Sequence, residues 1–175
     1  KREVIKLQIP ENIRTIERMI ALLEDSIGIQ DSTIQNYLDT STFLSDNNLT
    51  FETLPAFFIP NTYEIYKDIS MPSFFSRMKQ EYNNFWNEDR SNKCDSLGLS
   101  KIEVAILASI VEEEQDKRLD ERPMIAGLYL NRLNNPSQFP FLQADPTVKF
   151  ANKDFSIKQI LNKHLAIDNP YNTYK

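Results

Sequence analysis

Apolar positions along the chain change period several times, and each change marks an element. Val4, Ile5, Leu7 and Ile9 form an alternating run that ends at Pro10 and predicts a strand. Ile13, Ile16, Ile20 and Leu23 then recur at helical spacing, Met19 and Leu22 widen the stripe, and Gly28 offers a stop. Residues 31–48 predict a second short helix and a polar turn, whereas the aromatic-rich segment 51–66, with Pro55 and Pro60, reads as irregular. Pro72 opens a helix that places Phe74, Phe75, Met78, Tyr82, Phe85 and Trp86 on one face, the pattern of a core-facing helix. Residues 87–96 read as a polar connector.

Ser100 and Glu103 form an S-x-x-E capping box directly before the apolar run 104–111, so a helix should begin there. Another helix is expected after Pro123, carrying Ile125, Leu128, Tyr129 and Arg132 and ending at Asn134-Asn135-Pro136; the two should pack together. Segment 139–148, interrupted by Pro140 and Pro146, reads as an extended loop, and Ser156 with Gln159 predicts a further capped helix reaching His164. The expected fold is an α-rich α+β domain with short strands.

Composition narrows the chemistry. With 41% hydrophobic and 26% charged residues over 175 positions, the chain can bury a sizeable core. The longest near-continuous apolar stretch, 104–111, is far short of the roughly 18–20 residues a membrane span needs. Three scattered glycines leave no phosphate-cradling loop. One histidine and one cysteine leave no nitrogen or sulfur metal site and no intrachain disulfide, so no metal or cofactor is expected. A net charge of −5 opposes non-specific nucleic-acid binding. The chain starts at Lys1 inside the first alternating run, so a leading piece is expected to precede it.

The most informative stretch is Ser109-Ile110-Val111-Glu112-Glu113-Glu114, where an apolar helix runs into three carboxylates. At about 100° per residue, Glu114 falls only some 20° from Leu107 and continues the apolar face. Glu112 and Glu113 turn away from that face and read as surface charges. A carboxylate at the edge of an apolar surface has its charged form disfavoured by desolvation, the setting of a general acid. Glu114 is therefore either a candidate acid or a helix-end glutamate paired with Lys or Arg. Asp145, in the loop Gln143-Ala144-Asp145-Pro146-Thr147, is a ligand contact or an Asx-turn or cap residue; Asn131 and Arg132 bind a polar ligand or staple that loop. His164 reads as a cap or surface residue, and Lys149, Lys153, Lys158 and Lys163 as a solvated face.

The segments LASIVEEE (107–114), GLYLNRL (127–133), LQADPTVKFA (142–151) and PYNTYK (170–175), in this order and spacing, resemble the YceG-like family of endolytic murein transglycosylases. IPNTYEIY (59–66) and FWNEDR (85–90) resemble the family's upstream segment. The resemblance implies a lysozyme-like, YceG-type catalytic domain over 13–175 lacking its C-terminal part, with residues 1–12 as the trailing end of a LysM-like module. It implies an inner-membrane anchor outside this chain, a catalytic domain facing the periplasm or cell wall, and peptidoglycan glycan strands as substrate, with cell-wall synthases as further partners. It makes Glu114 the catalytic acid and base, and Asn131, Gln143, Asp145, Thr147, Asn172 and Tyr174 cleft residues. Gln115 departs from the family's usual Ser or Thr. The implied chemistry leaves 1,6-anhydro-muramic ends and needs no second carboxylate. Two rivals stand beside it: a hydrolytic muramidase pairing Glu114 with Asp145 or Glu113, and a catalytically silent glycan-binding or scaffold module.

Overall fold

The computed structural model describes residues 2–175 and divides into two compact units, Lys1–Ile102 and Glu103–Lys175. In the first unit, strand β1 (Val4–Ile9) is followed by helices α1 (Ile16–Ile27), α2 (Asp31–Thr40) and α3 (Phe43–Asp46) and a single 3-10 turn (Leu54–Phe57). Strand β2 (Asn61–Tyr66) then returns antiparallel to β1, with Ile5 opposite Ile65, Leu7 opposite Tyr63 and Ile9 opposite Asn61. This register puts Leu7, Ile9, Tyr63 and Ile65 on one buried face, as the two-residue period of a strand requires. Helices α4 (Met71–Phe85) and α5 (Glu88–Leu97) complete the unit.

Its core is aromatic and continuous. Phe74, Phe75 and Met78 of α4 are fully buried with Met19 and Leu23 of α1, Ile34 of α2 and Phe57. Rings pack in tilted, edge-on and stacked arrangements, with Phe43 and Phe75 centroids 4.6 Å apart and Phe57 stacked on Tyr82 at 5.0 Å. Helix α1 begins where the Thr15 hydroxyl accepts from the Arg18 amide and stops at Gly28, whose φ of 68° is the left-handed conformation glycine adopts without strain.

Two expectations for this unit fail. Segment 51–66 is not irregular throughout: it holds the 3-10 turn and β2, whose Tyr63/Ile65 alternation is obscured by Pro55 and Pro60 before it. Residues 87–96 are not a connector: Asn87 caps α5 and 88–96 lie within it, a helix polar nearly all round. Its signals are terminal: the Asn87 side chain accepts from the Arg90 amide, Glu88 and Asp89 occupy the first turn, and Gly98 ends it at φ 68°.

The second unit is built from α6 (Lys101–Glu114, its first two residues belonging to the first unit), α7 (Arg122–Asn134), α8 (Asp145–Ala151) and the short α9 (Asn162–Leu165). Val111, Tyr129 and Ala144 form its small buried cluster, with Leu107, Ile110, Ile125, Ala126 and Leu142 packed against it. Of the apolar run on α6 only Val111 is buried, and Ile106 is 43% exposed, so this helix is less enclosed than its sequence suggests. Segment 139–148 is a loop only as far as Ala144; Asp145 and Pro146 open α8, proline being well suited to a first helical turn. The helix expected from Ser156 does not form. Ser156 donates both its amide and its hydroxyl to the Asp154 carboxylate in a local turn, and α9 covers four residues only. Among the described residues no helix is long and apolar enough to cross a membrane.

Candidate active site

Glu114 is the last residue of α6, one turn beyond Val111, and is half-buried. Facing it on α7 is Tyr129, 4% exposed, whose hydroxyl donates to Glu114 Oε1 at 2.6 Å. A hydroxyl-to-carboxylate bond of this length is of the strong, charge-assisted kind. Burial, above all, pushes the Tyr129 hydroxyl far above the ordinary tyrosine range; the hydrogen bond to Glu114 and its negative charge push the same way, and only Arg132 opposes them. Tyr129 is therefore a permanent donor. No other hydrogen bond to the Glu114 side chain forms among the described residues.

The turn between α6 and α7 is tied from both sides. Arg122 Nε donates to the Gln115 carbonyl at 2.9 Å, and its guanidinium reaches Glu112 Oε1 at 3.4 Å. The Gln115 side chain donates to Glu121 at 2.7 Å and accepts the Arg118 amide at 3.2 Å. Gln115, the departure from the family pattern, thus spends its amide on this turn. Glu112 and Glu113 are half-buried instead of free surface charges, and Glu112 is drawn in by Arg122.

One turn after Tyr129, Arg132 fixes the loop before α8. Its Nη1 donates to the Leu142 carbonyl at 2.5 Å and to Gln143 Oε1 at 3.3 Å, so of the two readings of Arg132 the structure realises the staple. Gln143 is exposed and adopts φ 54°, the left-handed region, while its amide donates to the Thr173 carbonyl at 2.8 Å. Three further bonds close a ring. The Ala144 amide donates to Thr173 Oγ1 at 2.9 Å, and Thr147 Oγ1 gives its single proton to the Ala144 carbonyl at 2.7 Å. The Thr173 hydroxyl must then donate to Thr147 Oγ1, 2.8 Å away.

Tyr174 closes the other side, its hydroxyl donating to Asp145 Oδ1 at 2.5 Å. This hydroxyl is pushed up to about 12, first by burial, then by the bond to Asp145 and the charges of Asp145 and Glu114, against Arg132. Tyr129 in turn responds to Tyr174. Glu114, Tyr129, Arg132, Asp145 and Tyr174 thus form one electrostatic neighbourhood drawn from α6, α7, α8 and the C-terminal turn. Two carboxylates each carry a tyrosine donor.

The remaining expected residues take other places. Thr147 is committed to the hydroxyl ring. Asn172, 3% exposed, donates to the Leu165 and Ile167 carbonyls at 3.0 and 2.9 Å and accepts the Tyr174 amide at 3.2 Å, so it holds the turn that presents Tyr174 and has no face for a ligand. Asn131 is exposed on α7 and accepts from the Asn135 side chain at 2.8 and 3.1 Å, outside the network around Glu114. His164 Nδ1 accepts the Leu161 amide at 3.0 Å, a capping role. Sequence reasoning missed Tyr129 and Thr173. Tyr129 carried a usable signal: a tyrosine on a core-facing stripe must find a partner for its hydroxyl. Among the described residues no group of three or more His, Cys, Asp or Glu side chains is placed to hold a metal ion.

The profile of the YceG-like family matches residues 1–175. The chain belongs to the YceG-like family. Among curated relatives, the endolytic murein transglycosylase of Bacillus subtilis strain 168 is 32% identical over 164 residues, 91% of this chain and 42% of that protein. The protein of the same name from Streptococcus pneumoniae D39 is 27% identical over 167 residues, 92% of this chain and 29% of that protein. This YceG-like chain therefore spans less than half the length of the curated relatives it matches. A crystal structure of a yceG-like protein from Listeria monocytogenes superposes with a TM-score of 0.73 at 23% identity, covering 97% of this chain and 59% of that one. The YceG-like fold thus extends over nearly all of it.

Proposed function

We propose that the protein is an endolytic lytic transglycosylase acting on the MurNAc–GlcNAc bond inside peptidoglycan strands, with Glu114 as both acid and base. The observation that carries the reading is the half-buried Glu114 carboxyl, held through Oε1 by a buried tyrosine, with no hydrogen bond to Oε2 among the described residues. The names of the relatives support the substrate class.

In this mechanism the protonated Glu114 gives its proton to the glycosidic oxygen as the C1–O bond breaks. The carboxylate left behind takes the proton of the muramic acid 6-hydroxyl while O6 bonds to C1. One proton enters and one leaves, the sugar supplies its own nucleophile, and no water, metal or cofactor takes part. Asp145, with an oxygen already occupied by Tyr174, and the exposed Gln143 serve as sugar contacts; Asn131 contributes from α7. Thr147 and Asn172 support the wall that carries them. The reading extends to organisation: residues 1–12 as the end of a LysM-like module, an anchor outside this chain, and cell-wall synthases as partners on the periplasmic or wall side.

Purified peptidoglycan digested with the intact protein and analysed by mass spectrometry is expected to show internal cleavage with 1,6-anhydro ends. Reducing ends would replace this reading with a hydrolase that pairs Glu114 with Asp145 or Glu113. Uncut strands that still bind the protein would replace it with a glycan-binding module.

A further inference from the structure

We infer that Tyr129 is a positioning residue that dictates which oxygen of Glu114 carries the proton. The inference rests on the reading of Glu114 as acid and base. Three observations carry it. The Tyr129 hydroxyl lies 2.6 Å from Oε1 and is its sole hydrogen-bond partner among the described residues. The ring is anchored in the small core with Val111 and Ala144, so the hydroxyl cannot withdraw to water without dismantling that cluster. Arg132, one turn along the same helix, is spent on the Leu142 carbonyl and Gln143, so the cation near this pair makes no bond to the carboxylate.

A phenol that always donates allows Oε1 only to accept. When Glu114 is the acid, Oε1 is its carbonyl oxygen and the proton must sit on Oε2; when it is the carboxylate, the same bond stabilises the charge on Oε1 and leaves Oε2 to receive the next proton. Both transfers then pass through one atom: Oε2–H to the glycosidic oxygen, O6–H to Oε2. The carboxyl need not rotate between them. Without Tyr129 the proton divides between two oxygens and the group turns about its last bond, so fewer bound complexes hold the reactive geometry. Substrate affinity, set by other residues, should change little.

The test compares wild type, Tyr129→Phe and Glu114→Gln in the intact protein on purified peptidoglycan, with kcat and KM measured separately and folding checked by thermal unfolding. Tyr129→Phe removes one oxygen and keeps the ring. It is expected to lose kcat by about 10- to 100-fold, the scale of one hydrogen bond to a charged group, with KM within about twofold. A donor restored by 4-aminophenylalanine at position 129 should recover part of the loss. Wild-type kcat in folded Tyr129→Phe, alongside an inactive Glu114→Gln, would overturn the inference and leave the role of Glu114 standing. Full activity in Glu114→Gln would instead overturn the underlying reading. Should the phenylalanine variant not fold, 4-fluorophenylalanine at position 129, which fills the place of the hydroxyl without a proton to donate, decides: a lowered kcat at unchanged KM supports the positioning role, and wild-type kcat or a raised KM alone overturns it.

Discussion

Glu112, Glu113 and Glu114 are consecutive in the chain and chemically identical, yet their partners differ because a helix sends successive side chains in different directions. Glu112 meets Arg122, and Glu114 meets the Tyr129 hydroxyl. Helical spacing puts Glu114 nearest the apolar stripe, and in the structure it bonds Tyr129 of the small core; the same spacing reads the other two as solvated, yet they are as half-buried as Glu114. That spacing is blind to Arg122, which opens the next helix and reaches back to both the Gln115 carbonyl and Glu112. Tyr174 gives a pH prediction at the same scale. Its hydroxyl is held at about 12 against an ordinary value of 10.0, so the folded state keeps that proton where the unfolded chain releases it. Stability from this source is complete below about pH 10 and is lost as pH rises toward 12. Denaturant unfolding across pH 8–12 should therefore show wild-type stability declining above pH 10 and Tyr174→Phe declining less steeply. Identical slopes would deny Tyr174 its buried bond to Asp145.

Elements with an apolar stripe were legible in the sequence: β1, α1, α4, α6 and α7 lie where periodicity puts them. Elements without one were not. Helix α5 has only Cys94 buried, so its signals were confined to its two caps, while β2 was hidden between Pro60 and a polar turn. At α8 the mistake was to read Pro146 as a breaker where it opens a helix. The α5 cap supports a direct test. Gly98 sits at φ 68°, and its amide donates to the Asp95 carbonyl at 3.0 Å while Leu99 reaches back to Cys94 at 3.2 Å. A methyl group there would touch nothing within 4 Å, so the cost of Gly98→Ala is backbone strain alone. Denaturant unfolding should show about 1 kcal/mol of lost stability. No loss would mean that the turn relaxes to another conformation.

At the scale of the whole molecule, the two units are stabilised differently. The first has a continuous aromatic core. The second has a small cluster of three buried residues, Val111, Tyr129 and Ala144, with Val148 and Ala151 buried on α8, and much of its order comes from side chains bonded to backbone groups: Arg132 on Leu142, Thr173 on Ala144, Asn172 on Leu165 and Ile167. Such bonds join residues between 5 and 29 positions apart and leave no periodic trace, which is why the motif residues were recognisable by resemblance while their division into scaffold and site was not. The candidate site gathers where these bonds converge, and its central claim is that one carboxyl performs both proton transfers. The most direct test is mass-spectrometric product analysis of peptidoglycan treated with the intact protein and with its Glu114→Gln and Glu112→Gln forms. Release of 1,6-anhydro products should fall by about a hundredfold or more in Glu114→Gln, the scale of general acid–base catalysis, and persist in Glu112→Gln. Undiminished release by well-folded Glu114→Gln, or equal losses in both variants, would contradict it.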